Sequence, residues 1–468
     1  MATTDLATTP TPSPAASGSL STTDTPPTQI AGWGRIALPG HEVFGEDLER
    51  LSARPTLFRG LGRSYGDSSL PASPSATVVN TTLADRVLSW NPETGMLRAE
   101  AGLSLYTMNR LFLPARWFTP VSPGTQFVTL GGMVASDVHG KNHHVAGCFG
   151  QHVRAMRMRV ADGRVLEVTQ RQYADLFWAT VGGMGWTGAI LEVEVQLQRV
   201  PSPWITQHTE QVGDLETLVV RLKEVSRTWP MTMSWIDCLK RGKNMGRGIV
   251  FYGRWADAKD APATFPAWRG EVALPVDAPS WALNPLTMGA FNFGVYRSHI
   301  PRHKHAIVGP ETFYYPLDYV RSWNRAYGLS GFTQYQCVIP DDAGLRAVVR
   351  FMELLTASGA ASFLCVMKDC GPEGEGLLSF PKAGTSIAVD IPVKADTAAV
   401  VARLNKLVIE VGGRIYLTKD SFTTADDFRA MEPRLDAFLE ARQTWDPERR
   451  FASAQSVRLF GDDPTGAR

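Results

Sequence analysis

Two glycine-rich segments constrain this chain more than any other feature. The first is Arg59-Gly60-Leu61-Gly62-Arg63-Ser64-Tyr65-Gly66-Asp67-Ser68-Ser69. The second runs from Ser122-Pro123-Gly124-Thr125 through Thr129-Leu130-Gly131-Gly132 to His139-Gly140-Lys141-Asn142-His143-His144. Glycine has no Cβ, so backbone N–H groups there can come within hydrogen-bonding reach of a phosphate. Two such cradles in one domain-sized stretch predict a long ligand with a pyrophosphate, held along much of its length. That points to a dinucleotide cofactor and to redox chemistry. A lone G-x-G is weak, and tight turns alone explain Gly60, Gly62 and Gly66 about as readily. The second segment carries more. Gly131-Gly132 follows an apolar run and precedes Met133-Val134-Ala135-Ser136, whose small side chains let a flat, rigid ligand approach. No G-x-G-x-x-G fingerprint between strand and helix occurs, and no Walker A sequence, so a dinucleotide here is held by another fold.

The 468 residues suffice for two or three domains with real cores. Apolar residues at 44% and charged residues at 20% are ordinary for a globular enzyme. A net charge of +1 supplies no general field for nucleic acid or an anionic membrane. Cys148, Cys238, Cys337, Cys365 and Cys370 show no C-x-x-C spacing and read as reduced core thiols. Residues 1–28 are Thr, Ser, Pro and Ala with almost no large apolar side chain, and are expected to be disordered. They lack the basic start, apolar core and twin arginines of export signals, and no stretch reaches transmembrane length. A cytoplasmic location is therefore expected.

Short strands are predicted over 77–80, 87–90 and 96–101, then a helix capped by Ser104 with Leu105, Met108, Leu111 and Phe112 on one face. A hairpin over 154–160 and 164–168 turns at Asp162-Gly163. A helix over 173–180 and an alternating strand over 189–199 follow. Pro201-Ser202-Pro203 marks a boundary. Beyond it, helices over 215–228, 343–357 and 397–411 alternate with strands near 231–237, 248–254, 332–339, 361–367 and 386–393, an α+β unit on a largely antiparallel sheet. Residues 256–310 read as a long loop or lid. A strand over 414–417 leads to Lys419, and a helix from about 424 approaches the end.

Gly62-Arg63-Ser64-Tyr65-Gly66-Asp67 and Thr129-Leu130-Gly131-Gly132…His139-Gly140 resemble the FAD-binding segments of the vanillyl-alcohol oxidase/PCMH flavoprotein family. Asp175-Leu176-Phe177-Trp178-Ala179…Gly182-Gly183-Met184-Gly185…Gly188-Ala189-Ile190 and Asp446-Pro447…Phe451 resemble its further signatures. The resemblance implies an α+β, two-domain PCMH-type fold. Residues 29–200 and 414–468 would enclose FAD, and 201–413 would form an antiparallel-sheet substrate cap. A narrower resemblance is to the members of that family that oxidise C2 of decaprenylphosphoryl-β-D-ribose. It rests on Gly32-Trp33-Gly34-Arg35, the run 62–67, His139–His144, Gln334-Tyr335-Gln336 and Tyr416-Leu417-Thr418-Lys419-Asp420.

What the family implies is carried over position by position. Arg59, Gly60, Leu61, Gly62, Arg63, Ser64, Tyr65, Gly66, Asp67 and Ser68 would bind FAD. So would Gly124, Thr129, Leu130, Gly131, Gly132, Ser136, Asp137, Val138 and His139, with Ile190 and Tyr416 touching it. Lys141, Tyr315, Gln334, Gln336, Lys368, Ser386, Ala388 and Lys419 would line the substrate pocket, and Lys419, Tyr65 and His139 would serve catalysis. Members with covalent flavin often carry His before the Ser of the first motif. Arg63 stands there, so the FAD is expected to be non-covalent. In Thr385-Ser386-Ile387-Ala388-Val389-Asp390, relatives carry Asn and Cys at the positions of Ser386 and Ala388. Inhibitors that trap that cysteine should fail here.

Oxidising a secondary alcohol requires its O–H proton to leave as hydride departs, and a basic or hydrogen-bonding group beside the oxygen lowers that barrier. Lys419 suits the task if desolvation depresses its pKa; its plain alternative is a solvated lysine before a helix. Lys141 and Lys368 suit a lipid phosphate, against ordinary surface lysines. His139, His143 and His144, or His299, His303 and His305, lack metal-site spacing, so no metal is expected. His299–His305 with Arg297, Arg302 and Lys304 forms a basic stretch that suits either anionic headgroups or plain solvation. The leading function is lipid-linked ribose oxidation, the 2-keto product passing to a separate NAD(P)H-dependent reductase, with peripheral membrane contact and no nucleic-acid partner. The rivals are an alditol or aldonolactone oxidase, and a flavin-free sugar- or lipid-binding protein. Family members are linked to the cell envelope, the alternative location.

Overall fold

The computed structural model describes residues 26–279, 282–359 and 362–463. Residues 1–25 of the segment expected to be disordered lie outside these; at its inner edge the strand Thr28–Ala31 already pairs with Ala37–Phe44. That pair opens a four-stranded sheet completed by Thr77–Asn80 and Leu57–Arg59, both added in parallel. Leu57–Arg59 is one of its two edge strands, and the first glycine segment begins where that strand ends.

The expected strands 77–80, 87–90 and 96–101 and the hairpin all form. Val87–Trp90, Met96–Glu100, Ala189–Gln196, Val153–Arg159 and Val165–Thr169 make one antiparallel sheet in that order. Ser104 caps the helix Leu105–Phe112, its side chain accepting from the Thr107 N–H. The buried stripe is Leu105, Met108, Asn109 and Phe112, whereas Leu111 is 52% exposed. Positions i, i+3, i+4 and i+7 share a helical face and i+6 does not, so Asn109 holds the buried place expected of Leu111. Its Nδ2 donates to the Tyr315 hydroxyl at 3.2 Å.

The second unit is an eight-stranded antiparallel sheet. Its order is His303–Val308, Ile205–Val212, Gly248–Trp255, Met231–Ile236, Cys365–Cys370, Gly384–Pro392, Phe332–Pro340, Arg414–Ile415. Alternation divides its two faces. Ile236, Val250, Tyr335, Cys337, Met367 and Ile387 point into a core covered by the helices Leu215–Ser226, Gly344–Ala357 and Thr397–Glu410. Their neighbours Trp235, Phe251, Gln334, Gln336, Lys368 and Ala388 face the opposite way, onto a cavity.

Three expectations need correction. Residues 256–310 are not a long loop. Val272–Ala273 pairs with Val320–Arg321, Pro285–Arg297 is a helix, and His303–Val308 is an edge strand of the large sheet. The helix carries recognisable start signals, Asn284 accepting from the N–H groups of Leu286 and Thr287 with Pro285 following. Its apolar residues surround the axis, so no one-sided stripe betrayed it. The strand expected over 414–417 covers only Arg414–Ile415 and pairs with Phe332–Pro340. Arg414–Ile415 thus extends the large sheet, while Phe438 further on packs against Trp186 of the cofactor side. The strand expected at 361–367 lies at Cys365–Cys370, and Ile205–Val212 was not anticipated.

The two ends of the chain meet at the first glycine loop. Tyr65 N–H donates to the Thr418 carbonyl at 2.9 Å, and Arg458 forms a bidentate pair with Asp67. A Cβ on Gly66 would lie 1.7 Å from the Asp420 carbonyl oxygen. Gly66→Ala is accordingly expected to exceed the ordinary overpacking penalty of about 1–3 kcal/mol, lowering Tm by about 5 °C or more. Gly124→Ala is the control, because its added methyl meets no atom within 4 Å and the Tm of the FAD-free protein should not move.

Candidate active site

A cavity of 480 Å³ lies between the glycine segments and the free face of the large sheet. Of the residues expected at the cofactor, Arg59, Gly60, Leu61, Gly62, Arg63, Ser64, Tyr65, Ser68, Gly124, Thr129, Gly132, Ser136, Val138, His139 and Tyr416 line it. Six sit behind the wall. Gly66 and Asp67 hold the loop to the C-terminal segment, as above. Leu130 and Ile190 are core side chains, and a Cβ on Gly131 would press on Ala101 at 3.0 Å. Asp137 accepts from the Gly150 N–H at 2.8 Å and from the Ser379 hydroxyl, so it braces the second segment from beneath.

Of the residues expected at the substrate, Lys141, Gln334, Gln336, Lys368, Ala388 and Lys419 line the cavity. Tyr315 and Ser386 do not. The Tyr315 hydroxyl lies 2.5 Å from Ser122 Oγ and supports the second segment, while its neighbour Tyr314 forms the wall. A shift of one residue is enough to exchange the two tyrosines. Ser386 stands behind Gln336 and accepts from its Nε2 at 3.2 Å.

Lys141, Asp318 and Asp390 are buried and Lys368 and Lys419 half-buried in the cavity wall, and desolvation is the main cause of each shift. Lys419 Nζ lies 3.7 Å from the centroid of the Tyr65 ring. Desolvation pushes its pKa down to about 7, against the opposing pull of Asp390. Lys141 Nζ donates to the Tyr314 carbonyl at 3.0 Å and is likewise pushed to about 7, by burial and then by Lys368. Lys368 Nζ lies 3.2 Å from His139 Nδ1 and is lowered by the same desolvation. The other ring nitrogen of His139 faces Gln336 Nε2 at 3.1 Å, and burial beside Lys368 holds this imidazole neutral. Burial raises the Tyr65 hydroxyl well above its ordinary value.

Sequence reasoning missed several residues. Asp390 accepts from Gln334 Nε2 at 2.6 Å and from the Tyr327 hydroxyl at 2.9 Å, and burial pushes it up to about 7. The available signal was a lone acid inside the apolar run Ile387-Ala388-Val389-Asp390-Ile391. Asp318 also lines the cavity, raised to about 6 by burial, and accepts from the Gln126 N–H at 2.8 Å. Trp235 and Phe251 supply apolar wall together with Trp33 of the Gly32–Arg35 run, and nothing in the local sequence of the first two marks them.

The residues fit a dinucleotide. Gly60, Gly62, Gly124 and Gly132 present backbone to one cavity, and Gly124 opens onto free space. Arg63 stacks on Trp33 at 3.9 Å, with its Nε buried and unpartnered among the described residues. Among the described residues no group of three or more His, Cys, Asp and Glu could hold a metal ion.

Comparison with known proteins agrees. A family described as FAD binding domain matches residues 50–169. The decaprenylphosphoryl-beta-D-ribose oxidase of Mycolicibacterium smegmatis is 35% identical over 465 residues, 94% of this chain and 99% of the relative. The chain belongs to this family of FAD-dependent oxidases. An uncharacterized protein of Streptomyces coelicolor is 32% identical over 374 residues, 76% of this chain and all of its own length. The D-2-hydroxyglutarate dehydrogenase of Escherichia coli matches 26% of this chain at 32% identity, with only 12% of its own length covered. FAD is thus the cofactor, and the α+β PCMH-type architecture is that of the family. Family membership also sharpens the meaning of Ala388. No cysteine lines the cavity among the described residues. A cavity-directed thiol electrophile should leave the mass of this oxidase unchanged and add one adduct to Ala388→Cys, read by intact-protein mass spectrometry.

Proposed function

We propose that this chain oxidises the C2 hydroxyl of decaprenylphosphoryl-β-D-ribose to the 2-keto sugar. One observation carries the reading: the 35% identity to an oxidase of that name runs through cofactor side and cap alike, spanning the whole cavity. A separate NAD(P)H-dependent reductase would convert the product to the arabinose epimer used in cell-wall arabinan synthesis.

Bound FAD supplies the two-electron acceptor for the hydrogen at C2. The glycine segments hold the cofactor through backbone N–H groups, with Arg63 beside them and Tyr416 fixed by its hydroxyl donating to the Ser136 carbonyl at 2.8 Å. The cofactor is held non-covalently. His139 is the one histidine lining the cavity among the described residues, and its ring nitrogens lie 3.1 Å from Gln336 Nε2 and 3.2 Å from Lys368 Nζ. Lys419, neutral above about pH 7, takes the hydroxyl proton at Nζ. Tyr65 packs under that lysine and limits its motion. Gln334 is oriented by Asp390, and Gln336 by Ser386, so each presents its amide to the sugar in one orientation. Lys141 and Lys368 neutralise the phosphate, and the apolar wall receives the first isoprene units. Among the described residues no helix is long and apolar enough to cross a membrane. The enzyme would meet its lipid substrate from the bilayer surface.

The test is anaerobic mixing of the FAD-loaded protein with a prenylphosphoryl ribose while visible flavin absorbance is followed. Bleaching by this donor, and none by alditols or aldonolactones, is the expected result. Bleaching by a soluble polyol alone would assign the chain to small-sugar oxidation instead.

A further inference from the structure

The helix Pro285–Arg297 is out of balance with its surroundings. Its sequence, Pro-Leu-Thr-Met-Gly-Ala-Phe-Asn-Phe-Gly-Val-Tyr-Arg, holds no charge before the last residue, yet its one buried side chain is Asn292. Asn292 Nδ2 donates to Asp237 Oδ1 at 3.0 Å and to the Ser362 carbonyl at 3.2 Å. A polar stud therefore pins this helix to the cap, and the apolar side chains are left over. Leu286 is 81% exposed, and Phe291 and Phe293 are each 50% exposed. Of the 17 large hydrophobic residues that are exposed among the described residues, nine lie between 265 and 329. The excess thus belongs to one segment and not to the surface at large. A helix apolar on all sides is ordinarily enclosed by protein or by lipid.

Charge selects between possible occupants. Residues 278–310 contain no Asp or Glu, but hold Arg297, Arg302 and Lys304 in a chain whose net charge is only +1. The Arg297 guanidinium lies 5.7 Å from the Phe293 ring, so a cation and an apolar group share one rim. Apolar side chains edged by arginine and lysine match the boundary between acyl chains and anionic headgroups. The helix is also continuous with the cavity, since Phe291 and Val295 line it. An apolar path runs from the outer face to the interior.

We propose that the Pro285–Arg297 helix is a docking face for an anionic lipid bilayer, placed so that a prenyl chain passes from membrane to cavity without crossing water. The passage of the prenyl chain rests on the proposed substrate; the docking face does not. In docking, Leu286 and Phe293 enter the acyl boundary while Arg297 and Arg302 meet phosphate groups.

The test uses the full-length, FAD-loaded protein in flotation with vesicles of phosphatidylcholine, with and without phosphatidylglycerol. Binding to the phosphatidylglycerol vesicles, weakened by salt, is expected. Leu286→Asp/Phe293→Asp should weaken it by about tenfold or more, and Arg297→Glu/Arg302→Glu should abolish the preference for the anionic lipid. FAD content and Tm confirm that the variants are folded. Reduction of the flavin by a short, water-soluble prenylphosphoryl ribose should be unchanged in both, whereas reduction by the decaprenyl lipid in vesicles should fall. Wild-type protein that ignores phosphatidylglycerol vesicles, or variants that bind them equally well, would overturn the docking face. A dimer that Leu286→Asp/Phe293→Asp dissociates, with no vesicle binding, would assign the face to a second copy and overturn it too. Vesicle binding without any flavin reduction by the short donor would sustain the docking face and remove the substrate reading.

Discussion

Lys419→Met is expected to slow substrate-dependent flavin reduction by about 10²–10⁴-fold, the range for loss of a positioned proton acceptor. Methionine keeps the apolar stem against the Tyr65 ring, so FAD content should stay near that of the wild type. The pH profile separates roles. Burial sets the Lys419 pKa at about 7. The neutral amine, the form that accepts a proton, grows as pH rises through that value, so the wild-type rate should climb and then level off. That limb should vanish in Lys419→Met. Lys419→Arg keeps the cation but cannot give up its proton near neutral pH. It should be as slow as Lys419→Met if the group is a base. Near-normal rates in Lys419→Arg would instead mean that positive charge beside the oxygen is what matters, and the assignment of Lys419 as proton acceptor would fall.

The second large effect concerns the phosphate. Lys141→Met is expected to raise KM for prenylphosphoryl ribose by about 10–100-fold, the loss of one charge-assisted hydrogen bond worth about 1.5–3 kcal/mol. The rate at saturation should change much less. An uncharged prenyl ribose ether gives the decisive comparison, because its KM should be nearly indifferent to the substitution. Binding an anion raises the pKa of Lys141 from its value of about 7 in the free cavity. Binding therefore takes up a proton, and affinity for the phosphorylated donor should weaken as pH rises above 7. Lys368 is close enough to lower the Lys141 pKa. The effects of Lys141→Met and Lys368→Met should therefore not add, and a double-mutant cycle measures the coupling.

Legibility in the sequence followed the range of the forces involved. Ser104 as a cap, the hairpin at Asp162-Gly163 and the strand Thr77–Asn80 are decided within a few residues, and each formed as expected. The strand Arg414–Ile415 was harder, because its sheet partner lies in Phe332–Pro340 and only that pairing assigns it to the cap. The helix Pro285–Arg297 escaped because its apolar residues do not fall on one side. Most of the glycine-segment residues line the cavity, but Gly66, Gly131 and Asp137 serve contacts to Asp420, Ala101 and Ser379 that no local pattern displays.

By itself the sequence determined the glycine cradles, the alternation that gives the large sheet two distinct faces, and the family and its FAD, because backbone permissiveness and side-chain period are local properties. Only the tertiary structure decided which of Tyr314 and Tyr315 reaches the cavity, that Asp390 stands behind Gln334, and that Lys141, Lys368 and Lys419 share one enclosed space. The physical reason lies in desolvation and like charge. A lysine is an ordinary cation until remote segments bury it beside others, and residues 141, 368 and 419 become neighbours only when the sheet closes over the glycine loops.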